Sequence, residues 1–376
     1  METSIPLAIK YRPKTLDAIV GQDVAVRILQ NSFDRKNWHH AYILEGKFGS
    51  GKTSVARIMA AMENCENAPT QEPCGTCPRC KEIFEGKSID VKEIDVASKR
   101  SIDDVRALQE DITSCPIFCH MKYIIADEAH GWTGYAADAA LKMIEEPPPH
   151  VRFVLCTTEP EAFKSTIPSR CITLNFRDIA WHELHAHLGN ICKQEKINVQ
   201  DEALKVIARS ARGSARDALQ NLQTAFSYAG DEEITSEVAQ KALGVISNEL
   251  YYKFIQSILT IDAPNAMLMA NQILQNGGNL GKVVDGLTDY LRNLQLLKIG
   301  GEDAVSYWVS SEEMAQLKHQ IEMGEGIKPT LIKDMFDLLI ELRRGVIVNM
   351  SANALMDNFA VGAMMAVVKH SDRNKK

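Results

Sequence analysis

Apolar and polar positions alternate along this chain with two different periods. Through the first half, short β-branched apolar runs, "AYILEG" (41–46), "VKEIDV" (91–96), "KYIIADE" (122–128) and "RFVLCTT" (152–158), are separated by helical segments. That alternation predicts a parallel sheet with helices on its faces. After about residue 178 the strand-like runs stop and helical periodicity continues, as in "ELHAHLGNICKQE", "ARDALQNLQTAFSYA", "VVDGLTDYLRNLQLLK" and "IKDMFDLLIELRRGVIV". Breaks near Arg177 to Ala180 and near Gly244 to Asn248 divide the chain into an α/β domain (1–178), a small helical domain (179–245) and a larger helical domain (246–376).

Composition supports this division and narrows the chemistry. A chain of 376 residues suits two or three domains of about 100 to 200 residues each. Its 45% hydrophobic and 24% charged content is that of a globular protein. The N-terminal "METSIPLAIKYRPK" lacks a secretory pattern, and no segment reaches the roughly 18 apolar residues of a membrane span. The expectation is a soluble, cytoplasmic protein with no membrane partner. In a reducing compartment nine cysteines point to metal or catalysis rather than disulfides. A net charge of −7 excludes a generic polycation but not a local DNA-binding surface.

"GKFGSGKT", from Gly46 through Lys47, Phe48, Gly49, Ser50, Gly51 and Lys52 to Thr53, fits the phosphate-loop pattern. It follows a predicted strand and opens the predicted helix "TSVARIMAAM", the context the motif requires. Its glycines let backbone N–H groups curl around the phosphates of ATP at a helix N-terminus. Lys52 is assigned to the β- and γ-phosphates and Thr53 to Mg²⁺. In "YIIADEAH" Asp127 ends a buried strand and can hold the magnesium, while Glu128 can orient the attacking water. The string "DEAH" also labels a class of helicases, but the rest of the chain is helical and lacks their second strand-rich lobe. His39, His40 and His130 lack metal spacing and are read as structural or surface groups.

Cys65, Cys74, Cys77 and Cys80 have the spacing C-x₈-C-x₂-C-x₂-C in an insertion spanning 65–80. Four thiolates about 2.3 Å from one ion complete a closed, structural Zn²⁺ site. An iron–sulfur cluster takes the same ligand type. Cys115, Cys119, Cys156, Cys171 and Cys192 are scattered and read as packing residues. Lys99 and Arg100 stand at the start of a predicted helix, where cations and the helix N-terminus together suit a phosphate backbone.

The ordered series "KYRPKTLDAIVGQ", "HHAYILEGKFGSGKTSVARIMA", "CGTCPRC", "EIDVASKRSIDDVR", "YIIADEAH", "ALKMIEEPPPHVRFVLCTTEP", "TIPSRC" and "GSARDAL" resembles AAA+ ATPases, and more closely the gamma/tau subunit family of the bacterial DNA polymerase III clamp loader. The resemblance covers residues 8 to about 222. It implies an α/β AAA+ P-loop ATPase domain with a parallel sheet and zinc-knuckle insertion, a small helical lid and a C-terminal all-α collar. Periodicity alone makes the last part a helical bundle. The resemblance further implies an ATP hydrolase, in the short gamma-like form, that opens a sliding clamp and loads it onto primer-template DNA. Its partners would be other clamp-loader subunits, in a hetero- or homo-oligomeric pentamer.

By the same resemblance Arg170 is an arginine finger that reaches a neighbour's ATP, and Arg216 is the sensor-2 arginine. Thr158 matches the sensor-1 position, with Thr157 one residue away. Tyr11, Arg12, Val20, Gly21 and Gln22 flank the adenine, and Thr166 joins Lys99 and Arg100 against DNA. The sequence departs from the family at Ala129, where a valine is usual, and in "HGWTGYAADAALK", which is less hydrophobic at its start. Two other readings stay open: another AAA+ DNA-remodelling ATPase, such as a helicase loader or branch-migration motor, and a non-hydrolytic ATP-switched scaffold.

Overall fold

The computed structural model describes residues 5–98, 101–164, 166–277, 279–305, 309, 311–323 and 327–372. The chain divides into two compact units, Met1–Thr235 and Ser236–Lys376. In the first, helices α1 (Leu7–Lys10) and α2 (Asp23–Asp34) precede an α/β region. That region runs β1 (Ala41–Gly46), α3 (Lys52–Asn64), α4 (Pro78–Glu85), β2 (Val91–Asp95), α5 (Ile102–Thr113), β3 (Lys122–Asp127), α6 (Gly134–Glu145), β4 (Val151–Thr157) and β5 (Ile172–Phe176). Helices α7 (Trp181–Glu195), α8 (Asp201–Ser210) and α9 (Ala215–Ala229) follow.

The strands pair in parallel in the order β2-β3-β4-β1-β5. Side chains of successive strand residues point to opposite faces, and both faces here are covered, as parallel sheets require. Tyr42, Leu44, Tyr123, Ile125, Val154 and Cys156 pack with Val55, Ile58, Met59 and Met62 of α3. On the other face Ile43, Ile124, Ala126, Phe153 and Leu155 pack with residues of α5 and α6, among them Val105, Leu108 and Met143. Helix α3 is buried on nearly every side, so the segment that opens at the glycine-rich turn is a core element.

The apolar runs of the sequence mark β1 to β4; β5 lies beyond them. Its "ITLNF" buries only Leu174 and Phe176, while Thr173 and Asn175 are exposed. An edge strand with one open side carries the alternating pattern of a half-buried surface, not a continuous apolar run.

The second unit is built from α10 (Ser236–Leu243), α11 (Asn248–Leu259), α12 (Ala263–Gly277), α13 (Leu280–Gly300), α14 (Ser311–Met323), α15 (Pro329–Ile347) and α16 (Ala352–Asp372). Phe254, Ile258, Leu287, Leu291, Ile332, Met356 and Phe359 belong to one continuous core. No helix among the described residues is long and apolar enough to cross a membrane.

Candidate functional site

The turn from β1 into α3 is built on three glycines with positive φ, Gly46 (148°), Gly49 (73°) and Gly51 (104°). Lys52 follows at the first position of α3 and is only 5% exposed. Its Nζ donates to the carbonyls of Gly46 (2.7 Å) and Lys47 (2.8 Å). Burial pushes its pKa below the usual lysine value, against the opposing pull of Cys156, Glu128 and Asp127. Ser50 donates its hydroxyl to the Lys47 carbonyl at 2.8 Å. Lys47 pairs with Asp178, and Phe48 is exposed with its ring centroid 5.7 Å from Lys52 Nζ.

Pairing of β1 and β3 on either side of β4 brings the acidic strand end beside this loop. Thr53 Oγ1 donates to Asp127 Oδ2 at 3.4 Å, joining the two side chains suited to one hard cation. Glu128 has left-handed backbone at φ 50°. Its Oε2 accepts the Thr158 hydroxyl at 2.8 Å, and its Oε1 is buried with no hydrogen-bond partner. Thr157 is fully buried, and its Oγ1 lies 3.0 Å from His130 Nδ1. The two threonines thus sit on different partners.

The N-terminal segment closes one side of the loop. Gln22, 3% exposed, donates to the Arg177 carbonyl (2.8 Å) and Ser50 carbonyl (3.4 Å) and accepts the Arg177 N–H at 3.0 Å. Val20 and Gly21 precede it in a turn, and a Cβ on Gly21 (φ 72°) would lie 2.9 Å from Glu183 Oε2 and 3.0 Å from Ile179 Cγ2. Tyr11 donates its hydroxyl to Glu195 on α7. That bond is the main reason its pKa is pushed up to about 12. Arg12 is held below its ordinary pKa by burial and by the cations Arg57 and Arg216, with Glu93 opposing.

The helical end of this unit also meets the loop. The Gly49 carbonyl accepts the Ala215 N–H at 3.1 Å, at the start of α9. A side chain at Gly49 is excluded, since its Cβ would lie 2.0 Å from Ser214 Oγ and 3.2 Å from Arg216 Cβ. Arg216, one residue into α9 and exposed, is thereby brought to the phosphate loop.

Arg170 lies elsewhere, on the short turn Pro168–Arg170. Its Nε meets Glu145 Oε1 at 2.8 Å, and one terminal nitrogen donates to the Thr166 carbonyl (2.8 Å) and Ser169 hydroxyl (3.2 Å). Thr166 is exposed. Lys99 and Arg100 lie outside the described residues. Helix α5 just after them is closed by a capping box: Asp104 N–H donates to Ser101 Oγ at 3.1 Å and Ser101 N–H to the Asp104 carboxylate at 3.2 Å. With Asp103 also in the first turn, this helix end is already supplied with negative charge, so the helix terminus itself is a weak phosphate grip.

Cys65, Cys74, Cys77 and Cys80 bring their sulfur atoms to within 4.8 Å of one another. Four sulfurs around one zinc at about 2.3 Å would be roughly 3.8 Å apart, so the cluster fits that ion. Backbone N–H groups of Cys77 and Cys80 donate to the sulfurs of Cys74 (3.3 Å) and Cys77 (3.4 Å). Bonds from Thr76 and Cys77 bring the Cys74 thiol down to about 6, toward the thiolate a metal needs; burial pushes Cys80 up. Cys65 caps the C-terminus of α3, whose N-terminus carries Lys52. Thirteen residues at 1.5 Å each put about 20 Å between cluster and phosphate loop. Arg57 ties the region together through Glu93 (2.5 and 2.8 Å) and the Phe84 carbonyl (2.7 Å).

Comparison with known proteins matches three family descriptions in chain order. Residues 21–180 match "DNA polymerase III, delta subunit", 183–230 "DNA polymerase III clamp loader subunit, ATPase lid domain", and 234–355 "DNA polymerase III subunits gamma and tau domain III". The chain is 34% identical to DNA polymerase III subunit tau of Bacillus subtilis over 330 residues, 88% of this chain and 58% of that protein. It is 33% identical to subunit tau/gamma of Haemophilus influenzae over 96% of this chain and 50% of the relative. The chain thus spans about half the length of these relatives. Against subunit gamma of Buchnera aphidicola from Acyrthosiphon pisum it is 35% identical over 72% of this chain and 75% of that protein.

Proposed function

The chain belongs to the DNA polymerase III gamma/tau family, and from that premise we propose that it is the ATP-hydrolysing motor subunit of a clamp loader. The observation that carries this reading is the convergence of Lys52, Thr53, Asp127, Glu128 and Arg216 on one glycine-rich turn, fed by both the sheet and the helices that follow it. Lys52 exchanges its loop carbonyls for the β- and γ-phosphates of ATP, and Arg216 adds positive field. Thr53 and Asp127 hold Mg²⁺, which neutralises phosphate charge when bound. Glu128 accepts a hydrogen bond from the attacking water and orients it toward the γ-phosphate, giving ADP and inorganic phosphate. Tyr11, Arg12 and the Val20–Gln22 turn form the adenine wall.

The sensor-1 role falls to Thr158. Arg170 acts on the ATP of the next subunit. ATP binding organises an assembly with other DNA polymerase III subunits that holds a sliding clamp open for primer-template DNA, and hydrolysis releases the closed clamp. The cytoplasm is the compartment that goes with this role. DNA contact falls to Lys99, Arg100 and Thr166 and follows duplex charge rather than base sequence. The helices of the second unit serve as the collar and α7 to α9 as the lid.

The cysteine cluster holds one structural zinc. Cys80→Ser should give protein without zinc by mass spectrometry, and the unit that contains it should unfold at least about 5 °C lower. Metal-free wild-type protein with an unchanged unfolding temperature would sink the assignment.

The ATPase reading is tested with Glu128→Gln in the assembled complex. ATP affinity should stay within about threefold, while turnover falls by roughly 10²- to 10⁴-fold. Unchanged turnover would favour a scaffold switched by ATP binding alone.

A further inference from the structure

His130 stands on the short turn Ala129–Gly131 that leaves β3. The turn is fixed: Gly131 N–H donates to the Glu128 carbonyl at 2.8 Å and Trp132 N–H to the Ala129 carbonyl at 3.2 Å. Ala129 (1% exposed) and Trp132 (6%) are sunk in the core on that side. His130 Nδ1 lies 3.3 Å from Glu128 Oε2 and 3.0 Å from Thr157 Oγ1. Thr157 is itself held at the end of β4, where its hydroxyl oxygen accepts the Glu159 N–H at 3.0 Å.

The carboxylate beside Nδ1 favours one tautomer on electrostatic grounds. A carboxylate oxygen can only accept, whereas a hydroxyl can accept or donate. An Nδ1–H proton donates to Thr157 Oγ1 and turns its positive end toward the Glu128 carboxylate 3.3 Å away. The other tautomer turns a nitrogen lone pair toward the carboxylate. With Thr158 donating at 2.8 Å to the same Oε2, one end of Glu128 is gripped from two sides, and the buried Oε1 is the oxygen without a partner. A buried acceptor left unpaired in a residue with strained, left-handed backbone is the kind of exception that asks for a ligand.

We propose that His130, in its Nδ1–H form and braced by Thr157, is a positioning residue that grips Glu128 Oε2 and leaves Oε1 to take the attacking water. The proposal rests on the ATPase reading above. It adds a residue whose spacing suits no metal and whose effect passes through Glu128 rather than through ATP.

Positioning errors of about 1 Å cost up to roughly 100-fold in rate. In the assembled complex His130→Ala should lower kcat about 10- to 100-fold, with KM and the affinity for a non-hydrolysable ATP analogue within about threefold of wild type. His130→Asn, whose amide nitrogen can replace Nδ1 as donor, should recover to within about fivefold of wild type. A wild-type kcat for His130→Ala, loss of nucleotide affinity in that variant, or an Asn variant no better than Ala would each overturn the proposal. Nitrogen-15 spectra of histidine-labelled protein, assigned against His130→Asn, supply a readout independent of turnover: a protonated Nδ1 agrees, and an unprotonated Nδ1 overturns it. If wild-type protein hydrolyses no ATP, the ATPase reading fails in that control.

Discussion

Arg170→Ala should leave ATP binding intact on every subunit and slow turnover in the assembled complex by roughly 10³- to 10⁵-fold, the scale of an arginine finger. The side chain is available for such a role. Its present bonds are a half-exposed pair with Glu145 and two contacts within its own turn. Exposed pairs of this kind stabilise by only about 0–1 kcal/mol, so the guanidinium leaves Glu145 at little cost. For the same reason the variant should unfold close to wild type. Mixing Arg170→Ala subunits with subunits that cannot bind ATP separates action on a neighbour from action within one chain. Full turnover by an all-Arg170→Ala assembly would remove the finger assignment.

Lys52→Met should lower ATP affinity by roughly 100-fold or more, about 3 kcal/mol, because a buried charge-assisted contact to the phosphates is lost. Its effect on stability should be small. Burial holds the Lys52 pKa below 10.5, so the folded chain releases that proton at lower pH than the unfolded chain. The cost of burying the ammonium is therefore present at neutral pH and is relieved as pH rises through the folded pKa. Methionine removes that cost but leaves the Gly46 and Lys47 carbonyls without their donor. The two effects oppose, and nucleotide-free Lys52→Met should unfold within a few degrees of wild type. Isothermal calorimetry with ATP and a thermal scan check the two halves; wild-type affinity would contradict the role of Lys52.

How much of this was legible in the sequence depends on the range of the interaction. The inner strands announce themselves because both faces are buried, so their centres, "YIIA" and "FVLC", are apolar without interruption. β5 does not, because Thr173 and Asn175 face outward. The glycine-rich turn is a local pattern, and so is the cysteine cluster, whose four sulfurs come within 4.8 Å. Contacts made by tertiary approach are of another kind. The fit of Ser214 and Arg216 against Gly49 joins residues about 165 positions apart, and only the resemblance linked Arg216 to the loop. Metal spacing says nothing of His130, whose partners are Glu128 and Thr157. The signal was present in "DEAH": a histidine two residues after the acid, on a turn tight enough to fold back on it. The capping box of α5 was also readable, as Ser101 followed three residues later by Asp104.

The central claim is that ATP hydrolysis here serves clamp loading. The direct measurement is steady-state ATP hydrolysis by this chain reconstituted with its DNA polymerase III partner subunits, with and without sliding clamp and primer-template DNA. Turnover should rise when both are added together, and Glu128→Gln should abolish the rise. A rate indifferent to clamp and DNA in a correctly assembled complex would contradict it.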